Sequence, residues 1–486
     1  MYRYLLLFGL SSTIAGHAQV ATPVSNLQFD SSDKKLAQAF QWAKSQALAY
    51  VRDGSDPIGP WYEAALPGRD SFCMRDVSHQ TTGAAALGLY PQNRNMLHRF
   101  AAAVSPERDW AGYWEIDKLG YPSAADYASD DDFWYSLPAN FDLLDSIVRM
   151  WRWTGDNAYV TDPSFQRFFE ATATSYVNAW NLQPDLVLKR SRLMNQHLAK
   201  GKFVLARGIP SYTEGETNFN LGTDLLAAEY RAFESLRFLA ISRHQMNSAQ
   251  QYADTANKLS HLIDHSAWSE KDHHFMGFFS QDGSTRGSGD AMVLYFGATK
   301  DPGHIRAALS HIESAEYLKT IGIEEESYLA QTFYHYGESQ AAYERIVDLT
   351  RADNDRRKYP EVSFSIIDAI VRGTMGIEVV YDSNSSRPLL HSVSRLSKNS
   401  DSASLKGVRI RENLVDLEHA GDRSSTLINR SGPTLHWQAT FQGRVPVLRV
   451  NGHPVRTTIS SNAVQIPVSW IITDVPSGAS VVVSRP

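Results

Sequence analysis

From about Ser31 to Met375, apolar residues recur at i, i+3, i+4 and i+7, the spacing of a helix with one buried stripe. Stretches such as KKLAQAFQWAKSQALAYV, NFDLLDSIVRMWRWTGD, TDLLAAEYRAFESLRFLAISRH, AQQYADTANKLSHLIDHSAW, ESYLAQTFYHYGESQAAYERIVDL and SFSIIDAIVRGTMGI predict amphipathic helices. Between them lie loops rich in Gly, Pro, Asp, Ser and Trp, several longer than packed helices require. Long loops on a rigid helical scaffold are where function concentrates. Past Val379 the period changes: SASLKGVRIRENLVDLEHAG, SSTLINRSGPTLHWQATF, RVPVLRVNGHPVRTTI and NAVQIPVSWIITDVPSGASVVVSRP are short Val-, Ile- and Thr-rich runs between turn residues, which predicts strands. The expected fold is therefore mainly α, a toroid of helical hairpins followed by a small C-terminal all-β sandwich, with the boundary in the polar stretch YDSNSSRP.

The N-terminus reads Met1-Tyr2-Arg3-Tyr4, an apolar run from Leu5 to Ile14, then Ala15-Gly16-His17-Ala18, the layout of a secretory signal cleaved after Ala18. The run is shorter than the roughly 20 residues needed to span a bilayer, so the expectation is a periplasmic or secreted protein with no membrane association once the signal is removed. The expected division is residues 1–18 as signal peptide, 19–378 as helical catalytic domain and 379–486 as β domain. With one cysteine, Cys73, no intramolecular disulfide can form, which suits a bacterial periplasm. A net charge of -6 leaves no basic field for a phosphate backbone, so nucleic acid is not an expected partner. Eleven tryptophans and twenty-two tyrosines favour a carbohydrate partner, because aromatic rings stack on the apolar faces of sugars.

Acids gather where loops meet helices. One junction holds Asp70, Arg75, Asp76 and His79, with Arg69 just before them. A second holds Trp114, Glu115, Asp130 to Asp132 and Trp134. A third holds Tyr212, Glu214, Glu216 and Asp224, and later ones hold Glu324 to Glu326 and Glu361. A single acid at a helix start caps free N–H groups and answers the macrodipole, which suffices for Asp224. In a toroid of alternating outer and inner helices, however, every second junction opens on the same end, so these loops are expected to converge on one cleft. Glycosidic hydrolysis needs one carboxyl holding a proton and one ionised, and two acids on a common rim supply both. Arg69 and Arg75 are placed to bind sugar hydroxyls or a uronate carboxylate.

The segments MRDVSHQTTGAAALGL, DFWYSLPANFDLLDSIVRMWRWTGD, EGETNFNLGTDLLAAEYRAF and YPEVSFSIIDAIVRGTMGI resemble bacterial proteins of the six-hairpin glycosidase superfamily, the (α/α)6-toroid group of α-glucosidases, trehalases, glucoamylases and α-L-rhamnosidases. The likeness covers about residues 35–378. It implies an exported, cofactor-independent glycoside hydrolase acting on an oligo- or polysaccharide, with inversion. In the α-glucosidase branch an Arg-Asp pair opening an early helix binds the sugar whose bond is cut, which Arg75-Asp76 matches. The general acid precedes a helix like Asp224-Leu225-Leu226-Ala227, which nominates Glu214 or Glu216, and the general base precedes the last helix, where Glu361 stands. The donor loop lacks the Asp-Asn-Ser-Pro-Arg run of that branch. GIEEES replaces its Arg-Gly-Pro-Trp segment, so Glu325 or Glu326 is an alternative base. Asp70, His79, Trp114, Glu115, Trp134 and Tyr212 complete the expected substrate contacts.

Two alternatives use the same residues: a polysaccharide lyase or unsaturated-glucuronyl hydrolase, with Arg69 and Arg75 on a uronate, and a non-catalytic carbohydrate-binding protein. An epimerase would need facing histidines and a cytosolic chain. No metal site is expected. Asp130 to Asp132 lack the ligand spacing of a calcium loop, and the adjacent His273 and His274 point to different faces of either element.

Overall fold

The computed structural model describes residues 25–190, 201–203, 206–214, 219–280, 282–381, 387–398 and 400–486. The expected signal peptide and Glu216 lie outside the described residues. Twelve helices of seven residues or more occur among those described: α1 Lys34–Ala49, α2 Met74–Ala86, α3 Tyr90–Ala102, α4 Pro138–Thr154, α5 Pro163–Ala171, α6 Thr223–Ser242, α7 Met246–Leu262, α8 Asp290–Phe296, α9 Pro302–Glu313, α10 Ile323–Tyr336, α11 Ser339–Leu349 and α12 Pro360–Asp368.

The even-numbered helices pack in a cycle: α2 on α4, α4 on α6, α6 on α8, α8 on α10, α10 on α12, and α12 back on α2. The odd-numbered helices pack on them from outside, α3 on α2 and α4, α7 on α6, α9 on α8, α11 on α10, α1 on α12, while α5 packs on α3. Side chains explain the difference. Every residue of α2, MRDVSHQTTGAAA, is buried, whereas α7 buries only Ala249, Ala256, Leu259 and Ser260. A helix enclosed by neighbours on both sides and by an outer layer has no wet face to fill with charge. Gly83 lets α12 approach α2: a Cβ there would stand 2.1 Å from the Phe364 carbonyl oxygen. Local signals set the ends, with Asp33 accepting from the Lys35 and Leu36 N–H groups at the start of α1 and Gly155 (φ 69°) closing α4.

Two larger sheets hold most of the β structure. In order, the seven-stranded sheet is 28–31, 402–410, 413–420, 424–431, 480–484, 447–450 and 453–456. The five-stranded sheet is 378–381, 388–393, 435–442, 467–475 and 458–461. Two sequence expectations need correction here. The strand Gln28–Ser31 joins the C-terminal sheet, with Gln28 opposite Lys406, so the β structure is not confined to the end of the chain. The stretch expected to be a linker instead connects an antiparallel pair, Glu378 opposite His391, so strand structure begins ahead of it. Gly376 makes that entry tight, since at φ 59° a Cβ would meet the Val393 carbonyl oxygen at 2.2 Å. Within the helical stretch, the strand His274–Phe279 pairs with Thr285–Ser288, Leu221–Gly222 and Trp268–Ser269, a small sheet that helical periodicity did not predict.

Candidate active site

The first turns of α2, α6, α10 and α12 carry Asp76, Asp224, Glu324 and Glu361, and the ring brings all four helix starts to one end. Each helix start presents unpaired N–H groups and a partial positive charge, which favours carboxylates there. At the centre stands Arg75, 5% exposed. Its Nε lies 2.7 Å from Glu324 Oε1, and its Nη2 donates to Glu324 Oε2 at 2.9 Å and to Glu214 Oε1 at 3.1 Å, while Nη1 donates to the Tyr212 carbonyl at 3.1 Å. The guanidinium also stacks between Trp114 and Tyr212, at 5.1 and 5.5 Å from their ring centres. Trp134 packs behind Trp114, with ring centres 4.1 Å apart.

Asp76 and Glu361 complete a group of four carboxylates around this one arginine. Burial, then Glu361 and Glu324, push Asp76 well above the carboxylate range against the pull of Arg75. Burial, then Glu324, push Glu361 up to about 8. One guanidinium cannot compensate four negative charges drawn this close together. Glu324 grips it with both oxygens and Glu214 with one, while burial favours the protonated form of Asp76 and Glu361. Glu361 is 7% exposed and its Oε2 has no hydrogen-bond partner. Glu214, by contrast, has a side chain 54% exposed at the mouth.

Beside this group lies a cleft of about 340 Å³ lined by Tyr212, Asp224, Phe278, Glu324, Glu325 and Tyr328 among others, with no basic side chain in its described lining. Asp224 accepts from Ser211 Oγ (2.6 Å) and the Tyr212 N–H (2.9 Å), so it anchors the loop that carries Glu214. Gly222 makes room for it, because a Cβ at that position would stand 2.1 Å from Asp224 Oδ1. A second polar group adjoins: strand Ser71–Cys73 pairs with Glu115–Asp117, and Glu115 accepts from Ser71 Oγ at 2.6 Å. Arg69 bridges Glu115 at 3.2 Å and Asp126 at 3.3 Å, and burial with Glu115 holds the Asp126 carboxyl near 6.

Of the expected site residues, Arg75, Asp76, Glu214 and Glu361 meet, and Arg69, Glu115, Trp114, Trp134 and Tyr212 lie around them. Others stand elsewhere. Asp70 pairs with Lys118 at 2.6 Å on the surface. His79 is buried beneath Tyr328 and Tyr212, its Nδ1 3.0 Å from the Tyr295 hydroxyl, and supports the floor of the cleft. Below it the Tyr212 hydroxyl donates to Asp142. In the Glu324–Glu326 run, successive residues of a helix point about 100° apart. Glu326 pairs with Arg345 of α11, and Glu325 accepts from the Tyr317 hydroxyl at the cleft edge. Glu324 is the one that grips Arg75. At the sequence level Glu324 is named among the junction acids, but its neighbours Glu325 and Glu326 are nominated, and neither Asp126 nor Asp142 is singled out; for Glu324 the helical turn angle was the available signal.

No family model and no curated protein matches the chain. Solved structures do. It superposes on an α-L-rhamnosidase from Dictyoglumus thermophilum with a TM-score of 0.61 at 14% identity, covering 95% of this chain and 50% of that one. For the GH78-family rhamnosidase of Bacillus sp. GL1 the TM-score is 0.55 at 11% identity, covering 83% and 40%. For the α-L-rhamnosidase of Aspergillus terreus it is 0.52 at 12%, covering 93% and 50%. The chain thus spans half or less of each of these proteins. At such identities the likeness shows the fold alone, which this chain shares with these rhamnosidases.

Proposed function

We propose that the protein is a glycoside hydrolase that cleaves a glycosidic bond by carboxylate acid/base catalysis, with the helices α1 to α12 as a catalytic (α/α)6 toroid, the two larger sheets as a β-sandwich and residues 1–18 as an export signal. The observation that carries the reading is the buried Glu361 carboxyl, whose Oε2 has no hydrogen-bond partner, among acids held by Arg75. A proton donor must be protonated at working pH and its partner ionised. Burial supports Glu361 as the donor, and the exposure of Glu214 at the mouth, beside Arg75, supports it as the group that meets water. This ordering reverses the roles that the family resemblance implies: Glu361 protonates the leaving oxygen and Glu214 activates water, with Asp76 and Arg75 binding the sugar. Attack by water on the face opposite the donor inverts the anomeric centre.

The neighbours' names, rhamnosidases and a sialidase among them, support a glycoside as substrate. The uronate alternative loses its motive, because Arg69 and Arg75 are each already held by two carboxylates. A released-sugar screen on purified protein, with Glu361→Gln and Glu214→Gln in parallel, tests the proposal. Release by wild type and its loss in both folded variants is the expected result; binding without release, unchanged in the variants, supports the carbohydrate-binding alternative instead.

A further inference from the structure

Away from the carboxylate group, three side chains from three elements converge. His274 opens the strand His274–Phe279, Asp290 is the first residue of α8, and His311 lies in the last turn of α9. Their donor atoms all lie within 4.8 Å of one another. Asp290 is fully buried: one oxygen accepts from the Phe275 N–H at 2.7 Å, and the other lies 2.5 Å from His311 Nδ1. His274 Nδ1 is 3.0 Å from the Phe275 carbonyl, which fixes that ring and leaves Nε2 as its donor atom. The two imidazoles face each other with ring centres 4.9 Å apart.

We propose that His274, Asp290 and His311 bind a divalent first-row transition ion of the zinc class. Two imidazoles and one carboxylate suit such an ion, whereas calcium and magnesium favour all-oxygen shells. Both histidines are partly exposed, which gives an entry path and leaves a coordination position for water. The sequence directs attention to the neighbouring pair His273 and His274, but the fold supplies His274 with partners from two other elements. The ion sits outside the reacting groups and braces the cleft. The strand that His274 opens, its partner strand Thr285–Ser288 and the residue that follows contribute Gly277, Phe278, Ser288 and Gly289 to the cleft wall. Tyr317, whose ring centre is 5.2 Å from that of His311, donates its hydroxyl to Glu325 in the same cleft. The competing account is a plain Asp290–His311 hydrogen bond with His274 stacked on it.

Titrating the chelator-stripped full chain with Zn²⁺ by calorimetry, and with Co²⁺ by visible absorption, separates the two accounts. We expect saturable binding of one ion per chain, ligand-field bands for Co²⁺, and a melting temperature raised by Zn²⁺. His274→Ala and His311→Ala should each lose at least about tenfold in affinity and lose the thermal shift, while His273→Ala should keep both. Should His311→Ala not fold, His274→Ala decides, because His274 makes no hydrogen bond to Asp290. Failure of folded wild type to bind either ion saturably, or equal binding by wild type and His274→Ala, overturns the proposal.

Discussion

Glu361→Gln exchanges a buried carboxyl for a neutral amide of the same shape. In the folded chain the carboxyl titrates near 8, against an ordinary 4.5, because burial and Glu324 disfavour its charge. Folding therefore favours the protonated form. This group costs nothing below about pH 4.5; its cost grows as the pH rises and levels off above about 8. At about 1.36 kcal/mol per pH unit the full swing approaches 5 kcal/mol. That is a ceiling, since Asp76 shares the site and takes part of the strain by shifting its own proton. The amide cannot ionise, so the variant lacks this drift. Melting wild type and Glu361→Gln at each pH from 5 to 9 should show their difference shifting steadily in favour of the variant, while the variant loses hydrolysis. Parallel curves across that range would refute the reasoning, for they would mean that Glu361 ionises freely in the folded protein.

Arg75→Ala leaves Glu324 and Glu214 without their cation beside two further acids, and should cost about 3–5 kcal/mol of stability along with activity, read by denaturation and sugar release. Gly83→Ala forces α12 off α2 and should cost about 1–3 kcal/mol or more, seen as a lower melting temperature. Tyr212→Phe removes the hydroxyl that donates to buried Asp142, with an expected loss of about 1–3 kcal/mol and a weakened KM as the cleft floor loosens.

Much of the helical layer was legible because each helix states its burial locally. The stripe in KKLAQAFQWAKSQALA marks an outer helix, and the small, uncharged run after His79 marks an inner one. The convergence of acids followed from alternation alone, since inner helices must start at the same end. What the sequence hid depends on register between distant segments. Arg75 and Glu324 meet across 249 positions, and nothing local distinguishes Glu324 from its two neighbours except the angle of a helical turn. The strand Gln28–Ser31 carries no mark that its partner begins at Ser402, because a single edge strand of four residues fits many sheets. His274, Asp290 and His311 likewise sit in three unrelated stretches, each ordinary by itself.

The most direct test of the carboxylate account compares two substrates of one sugar, a natural glycoside and one with a highly acidic aryl leaving group. A general acid matters only where the departing oxygen needs a proton. Glu361→Gln is predicted to lose orders of magnitude in kcat/KM on the natural glycoside yet retain most turnover of the activated one, whereas Glu214→Gln loses both. Wild-type cleavage of the natural glycoside by Glu361→Gln would contradict the account.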